Sequence, residues 1–140
     1  MGQFVARRKK TDEPLKILLF LILPNLKLIL LANPLLFKIL KNPPRAMALF
    51  PFVLVDSEKD KFDKVLINHE KIHLHQQLEM LIIPFYLVYL GHYFFQWIKF
   101  KKHYPAYMNI VFEREAYQNE WNLEYLKNRK LWAFWKYWVK

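Results

Sequence analysis

The 140-residue chain contains no cysteine and is poor in both glycine and acidic residues. Without thiols there is no disulfide and no thiolate metal site, so any metal must be held by His and carboxylates. With two glycines and 18% aromatic residues, the chain falls outside the disordered class. Its length is too short for two independent cores. Acids number 12 against 22 Lys and Arg, a formal net charge of +10. Mean hydropathy is nonetheless close to neutral, so basic and apolar residues must be separated into blocks. Such a chain suits an anionic partner, either a membrane face or nucleic acid.

The blocks are uneven. Residues 1–45 carry nine basic and two acidic side chains, residues 46–98 four and six, and residues 99–140 nine and four. In the first block, Lys16, Lys27 and Lys38 interrupt a Leu/Ile-rich stretch from Leu15 to Leu40. The uncharged runs Ile17–Leu26 and Leu28–Phe37 are ten residues each, half of what a spanning helix needs. No small-residue cleavage site follows the first run, so a signal peptide is not expected. Eleven-residue spacing returns the lysines to nearly one helical face. Residues 1–45 are therefore expected to form an amphipathic anchor on an anionic membrane surface, bent at Pro24 and Pro34. A soluble helix packed on the domain is the plainer alternative.

After the break at Pro43-Pro44, Phe50–Val55 has strand composition, and Pro51 predicts an edge strand. From Asp60 the period becomes helical, with Phe62, Val65, Leu66, His69, Ile72, His73 and Gln76 on one face. His69-Glu70-Lys71-Ile72-His73 carries the chemistry. Two imidazoles four residues apart lie one above the other and can share one Zn2+ ion. Glu70, one step from His69, lands beside the ion without binding it, in place to act as general base. Both histidines sit on the apolar face, where unpaired imidazoles are costly.

A third ligand is expected from a second helical stretch, about residues 107–130. There Ile110, Glu113, Ala116, Tyr117 and Glu120 share a face, and Glu113 is the favoured ligand. Glu115, His75 and His103 are its rivals. Glu115, Glu124 and Arg129 read instead as a solvated charged face.

His69-Glu70-x-x-His73 followed by Glu113 and Ala116 on a later helix resembles the gluzincin metallopeptidases, in particular small bacterial membrane-associated forms. The resemblance implies a minimal zincin-like domain over residues 46–130, with Glu113 as ligand glutamate. Tyr117 stands where that family has an Asp that orients a ligand histidine, and Glu120 or Asp63 is expected to substitute. The resemblance also implies that the strand before the first helix, with Phe52, Val53 and Leu54, pairs with extended substrate. His103, Tyr104 and Tyr107 are candidate oxyanion donors.

Residues 80–98 hold no charged side chain and would reach about 28 Å as a helix. A single crossing there would put His69 and His73 on one side of a bilayer and Glu113 on the other. With Pro84, Gly91, His92 and Gln96 in the run, a bent helical hairpin that dips into the membrane surface or forms the core is expected. Residues 131–140, rich in Trp and Lys, read as an interfacial tail. They could also stack single-stranded nucleic acid, but no nucleic-acid-binding pattern accompanies them.

The expected fold is mainly α, formally α+β with a small edge-strand element. The expected function is zinc-dependent peptide-bond hydrolysis on a peptide or protein substrate, by a monotopic protein at the cytoplasmic face of a membrane. The alternatives are a non-catalytic zinc-stabilised membrane scaffold and a metal-free basic protein that binds membrane or nucleic acid.

Overall fold

A computed structural model of the chain describes residues 29–31 and 44–138. Strands β1 (Ile29–Leu31), β2 (Ala46–Leu49) and β3 (Phe52–Val55) precede five helices: α1 (Lys64–Glu79), α2 (Ile83–Phe100), α3 (His103–Met108), α4 (Val111–Asn119) and α5 (Tyr125–Asn128). Turns of 3-10 helix stand at Glu58–Phe62 and Ala133–Tyr137. The protein is mostly helical with a small three-stranded sheet, as the composition and periodicity imply.

The sheet order is β1-β3-β2, with β3 parallel to β1 and antiparallel to β2. This corrects the edge-strand expectation: Phe52, Val53 and Leu54 lie in the central strand. Pro51 falls in the two-residue turn between Leu49 and Phe52, so it removes no ladder donor from β3. Among the described residues, β2 is the edge that meets α1. Small Ala46 and Ala48 face inward with Val53 and Val55, and pack on Ile67 and Leu74 of α1. Gln77 fastens the hairpin to the helix, donating to the Ala48 carbonyl at 3.0 Å and accepting from the Phe50 N–H at 3.0 Å.

Ile29–Leu31 is strand, where an anchor helix was expected. β-branched and Leu side chains fit a sheet edge as readily as a helix. Residues 1–28 and 32–43 of the expected anchor lie outside the described residues.

Asp63 caps α1 by accepting from the Leu66 N–H at 3.1 Å. Phe62 precedes the helix and is exposed, so it is not part of the buried face. The chain turns by 114° between α1 and α2. Leu81 and Ile82 adopt positive φ values of 60° and 55° at this corner, conformations that cost branched residues of order 1–3 kcal/mol each. The expected hairpin within residues 80–98 is therefore a single helix after a sharp corner. Pro84 stands in its first turn, where no N–H is needed, and Gly91 passes through the helix with open space around it.

The expected helix over 107–130 is three shorter ones. Asn109 folds back on the Pro105 carbonyl at 2.8 Å, and Ile110 is extended, so α3 ends there and α4 starts as a separate helix. A second core forms where Phe85 of α2 meets Ile110, Val111 and Phe112. Phe134 joins this core, so the C-terminal segment is partly interior rather than a free interfacial tail.

Candidate metal centre

His69 and His73 project from one face of α1 toward Glu113 on α4. The three offer ligand atoms that lie within 4.8 Å of one another. His69 Nε2 is 3.2 Å from His73 Nε2. Each of these nitrogens is 3.4 Å from a Glu113 oxygen. His69 and Glu70 are each 5% exposed, His73 6% and Glu113 3%.

The far side of each ring is held. His69 Nδ1 donates to Glu120 Oε2 at 2.8 Å, and His73 Nδ1 to Gln76 Oε1 at 2.8 Å. The Gln76 amide cannot be turned round, because its nitrogen faces two acceptors, the Phe112 carbonyl at 3.2 Å and Glu115 Oε2 at 2.9 Å. With Nδ1 carrying the hydrogen, each Nε2 lone pair points into the site. Asn68, next to His69, donates to the Glu120 and Asn122 carbonyls at 2.8 and 3.2 Å. Those bonds hold the end of α4 where Glu120 reaches His69. Of the two acids expected to orient a histidine, Glu120 is the one that meets His69, and the Tyr117 ring packs edge-on to His69 with centroids 4.6 Å apart. Asp63 is committed to the α1 cap and to Arg45.

The electrostatics favour a cation at this point. Burial alone would pull the His73 imidazole down, but the Glu113 carboxylate raises it to about 9. Burial opposes ionisation of Glu113, yet the facing His73 and His69 hold its carboxyl well below the usual range. Glu113 Oε2 has no hydrogen-bond partner, while Tyr89 of α2 donates to Oε1 at 2.6 Å. Two imidazole lone pairs facing each other beside an unpartnered carboxylate oxygen require a proton or a metal cation between them. The chemistry of the donor set therefore fits a metal. This buried group can hold one ion, and a set of two imidazoles and a carboxylate suits several divalent first-row metals.

Glu70 lies beside the ligands without being one of them. Burial pushes its carboxyl up, against the pull of His73 and His69. Tyr107 and Tyr117 approach from the Glu113 side; burial raises both phenols, which keeps them protonated donors. His103 and Tyr104, by contrast, are exposed, and His103 Nδ1 is engaged 2.9 Å from Tyr93 Oη.

Glu115 and Arg129 do not form a solvated face. Arg129 Nε meets Glu115 Oε1 at 2.6 Å, its Nη1 meets Glu79, and all three side chains are buried. Tyr125 donates to Glu115 Oε1 at 2.8 Å. Glu115 is thus held by Arg129 and Tyr125, and Arg129 supports His73 through Glu115 and Gln76. Sequence reasoning placed Gln76 on the correct face but gave it no role, although its i+3 spacing from His73 was the available signal. Nothing local pointed to Tyr89, which arrives from another helix. His75 is outside the ligand group; burial and Arg129 lower it to about 3, so it is neutral at pH 7. Comparison with protein-family models, curated proteins and solved structures finds no match to this chain.

Proposed function

We propose that the chain is a zinc-dependent peptidase with a minimal gluzincin-like centre, held by His69, His73 and Glu113. The observation that carries this reading is the convergence of these three side chains on one point with a fourth, non-ligating acid beside them. Three protein ligands leave a position for substrate, whereas a structural zinc site closes with four. Among the described residues no fourth ligand joins the group. Zinc, when bound, would polarise the scissile carbonyl and promote ionisation of water near neutral pH. Glu70 would take the proton from the attacking water and pass it to the leaving amine. Tyr107 and Tyr117 would be the candidate donors to the oxyanion. The basic blocks at both ends support a location at the cytoplasmic face of a membrane.

One observation favours a second reading, a non-catalytic zinc-stabilised scaffold: all four site residues are nearly inaccessible. Metal analysis of protein purified under metal-replete conditions, together with Glu70→Gln, separates these. Peptidase chemistry requires about one zinc per chain, retained in Glu70→Gln while hydrolysis is lost. Zinc without hydrolysis in the parent leaves the scaffold, and less than about 0.3 zinc per chain removes both.

A further inference from the structure

Helix α2 buries Phe85 in the second core but otherwise turns polar side chains inward and apolar ones outward. Its domain-facing side carries Tyr89, His92, Tyr93 and Gln96, each hydrogen-bonded within the protein: Tyr89 to Glu113, His92 to the Val111 N–H, Tyr93 to His103 and Gln96 to His92. Its outward side presents Ile83, Leu87, Leu90, Phe94, Phe95 and Ile98, all exposed, with Leu87 at 67% and Phe94 at 59%. At about 100° per residue these cover an arc of about 140°, roughly two-fifths of the helix circumference. The helix has 18 residues and is about 27 Å long. A helix on a water-facing surface has the opposite polarity.

The margins of this face are basic and aromatic. Lys99, Lys101 and Lys102 stand at its C-terminal end, and Lys101 Nζ lies 5.5 Å from the Trp97 ring centre. Along one flank, Trp138 stacks on His92 with ring centroids 4.7 Å apart, and Trp135 lies 5.4 Å from Trp138. Trp and Lys beside an apolar face are the composition of the headgroup zone.

We propose that the outward face of α2 inserts in plane into an anionic bilayer surface, with Trp97, Trp135, Trp138 and the neighbouring lysines at the headgroups. Lipid suits the face better than protein does. The apolar surface is wider than the seam by which two helices pack, and its Trp and Lys margins match the headgroup zone. A chain of net charge +10 repels its own copy and is drawn to anionic lipid. Among the described residues no single helix is long and apolar enough to cross a membrane. The inference deepens the membrane location proposed above and is independent of the metal reading. It would set the metal centre about 10 Å, one helix diameter, from the lipid, because the inner side of α2 supplies Tyr89.

The absence of native cysteine allows single-site labelling. Leu87→Cys, Phe94→Cys and, as a control on the 3-10 turn, Lys59→Cys would each carry an environment-sensitive fluorophore in the full chain. Vesicles of phosphatidylcholine with phosphatidylglycerol should shift emission to the blue at 87 and 94 but not at 59. Leu87→Glu with Phe94→Glu should weaken partitioning by about tenfold or more. Co-sedimentation with unchanged emission at 87 and 94 would overturn the inference while leaving the membrane location, and no co-sedimentation would remove both. A lipid-free dimer that the double Glu variant dissociates would assign the face to a second copy. A fall in melting temperature of that variant without lipid would assign it to the protein's own interior.

Discussion

Gln76→Leu would test whether the second layer of contacts sets the metal site. Leu is of similar size and removes three hydrogen bonds: the one accepted from His73 Nδ1 and those donated to the Phe112 carbonyl and Glu115. Losing the acceptor frees the His73 ring to turn or change tautomer. Such losses lower metal affinity by about 10–100-fold, which is about 1.4–2.7 kcal/mol. The buried His73 Nδ1–H left without an acceptor adds a stability cost of about 1–3 kcal/mol, whereas the Phe112 carbonyl keeps its bond within α4 and Glu115 keeps Arg129 and Tyr125. Chelator competition reads the first effect, the visible spectrum of the cobalt-substituted protein reads ligand geometry, and metal-free melting reads the second. Gln76→Glu separates the two roles. Its carboxylate can still accept from His73, but it would face Glu115 Oε2 where the Gln76 amide nitrogen stands 2.9 Å away. Metal affinity should then stay close to the parent's while metal-free stability falls furthest. A folded Gln76→Leu protein with the parent's chelator competition and an unchanged cobalt spectrum would refute the reasoning.

Four further outcomes are expected. Arg129→Met leaves Glu79 and Glu115 buried without their counter-ion and should cost about 3–5 kcal/mol in chemical denaturation; a loss below about 1 kcal/mol would mean that water reaches the pair. Asn68→Ala frees the end of α4 and with it Glu120, so metal affinity should fall by about tenfold while far-UV dichroism stays the same. The Asp60 carboxyl is depressed by Ser57 and Arg45; its stabilisation is complete above about pH 4 and is lost as the pH falls through the folded value. The stability gap between parent and Asp60→Asn should accordingly close on acidification below pH 4, and a gap constant down to about pH 2 would contradict it. Zinc at about 100 times its dissociation constant should raise unfolding free energy by about 2.7 kcal/mol, and Glu113→Gln should diminish that gain.

Local chemistry was legible in the chain. The His69, Glu70 and His73 arrangement depends on one helical turn, which four-residue spacing specifies by itself. Helical periodicity favoured Glu113 over Glu115, His75 and His103 by putting it with Ala116 and Glu120 on one face, and α4 keeps Glu113 on the side that meets His69 and His73. The acid that orients His69 was narrowed to Glu120 or Asp63. Choosing between them needed Asn68 to pull the end of α4 against α1.

Other features were settled by contacts distant in sequence. Phe52–Val55 is central because Ile29–Leu31 pairs along its other side, and no local pattern announces a parallel partner from another block. Glu115 and Arg129 looked like surface charges because alternating signs along a helix are common on solvated faces; they are buried because Glu79 of α1 meets the same guanidinium. Tyr89 reaches Glu113 only through the sharp corner at Leu81 and Ile82, held by residues that rarely adopt positive φ. The chain alone therefore determined the donor atoms and their spacing along each helix, which are matters of covalent order and helical pitch. The tertiary structure decided which carboxylate completes the centre, which acids lie beside arginine, and which side of α2 faces outward. Those depend on how separate elements pack, and packing energy is shared among residues that no single stretch of sequence contains.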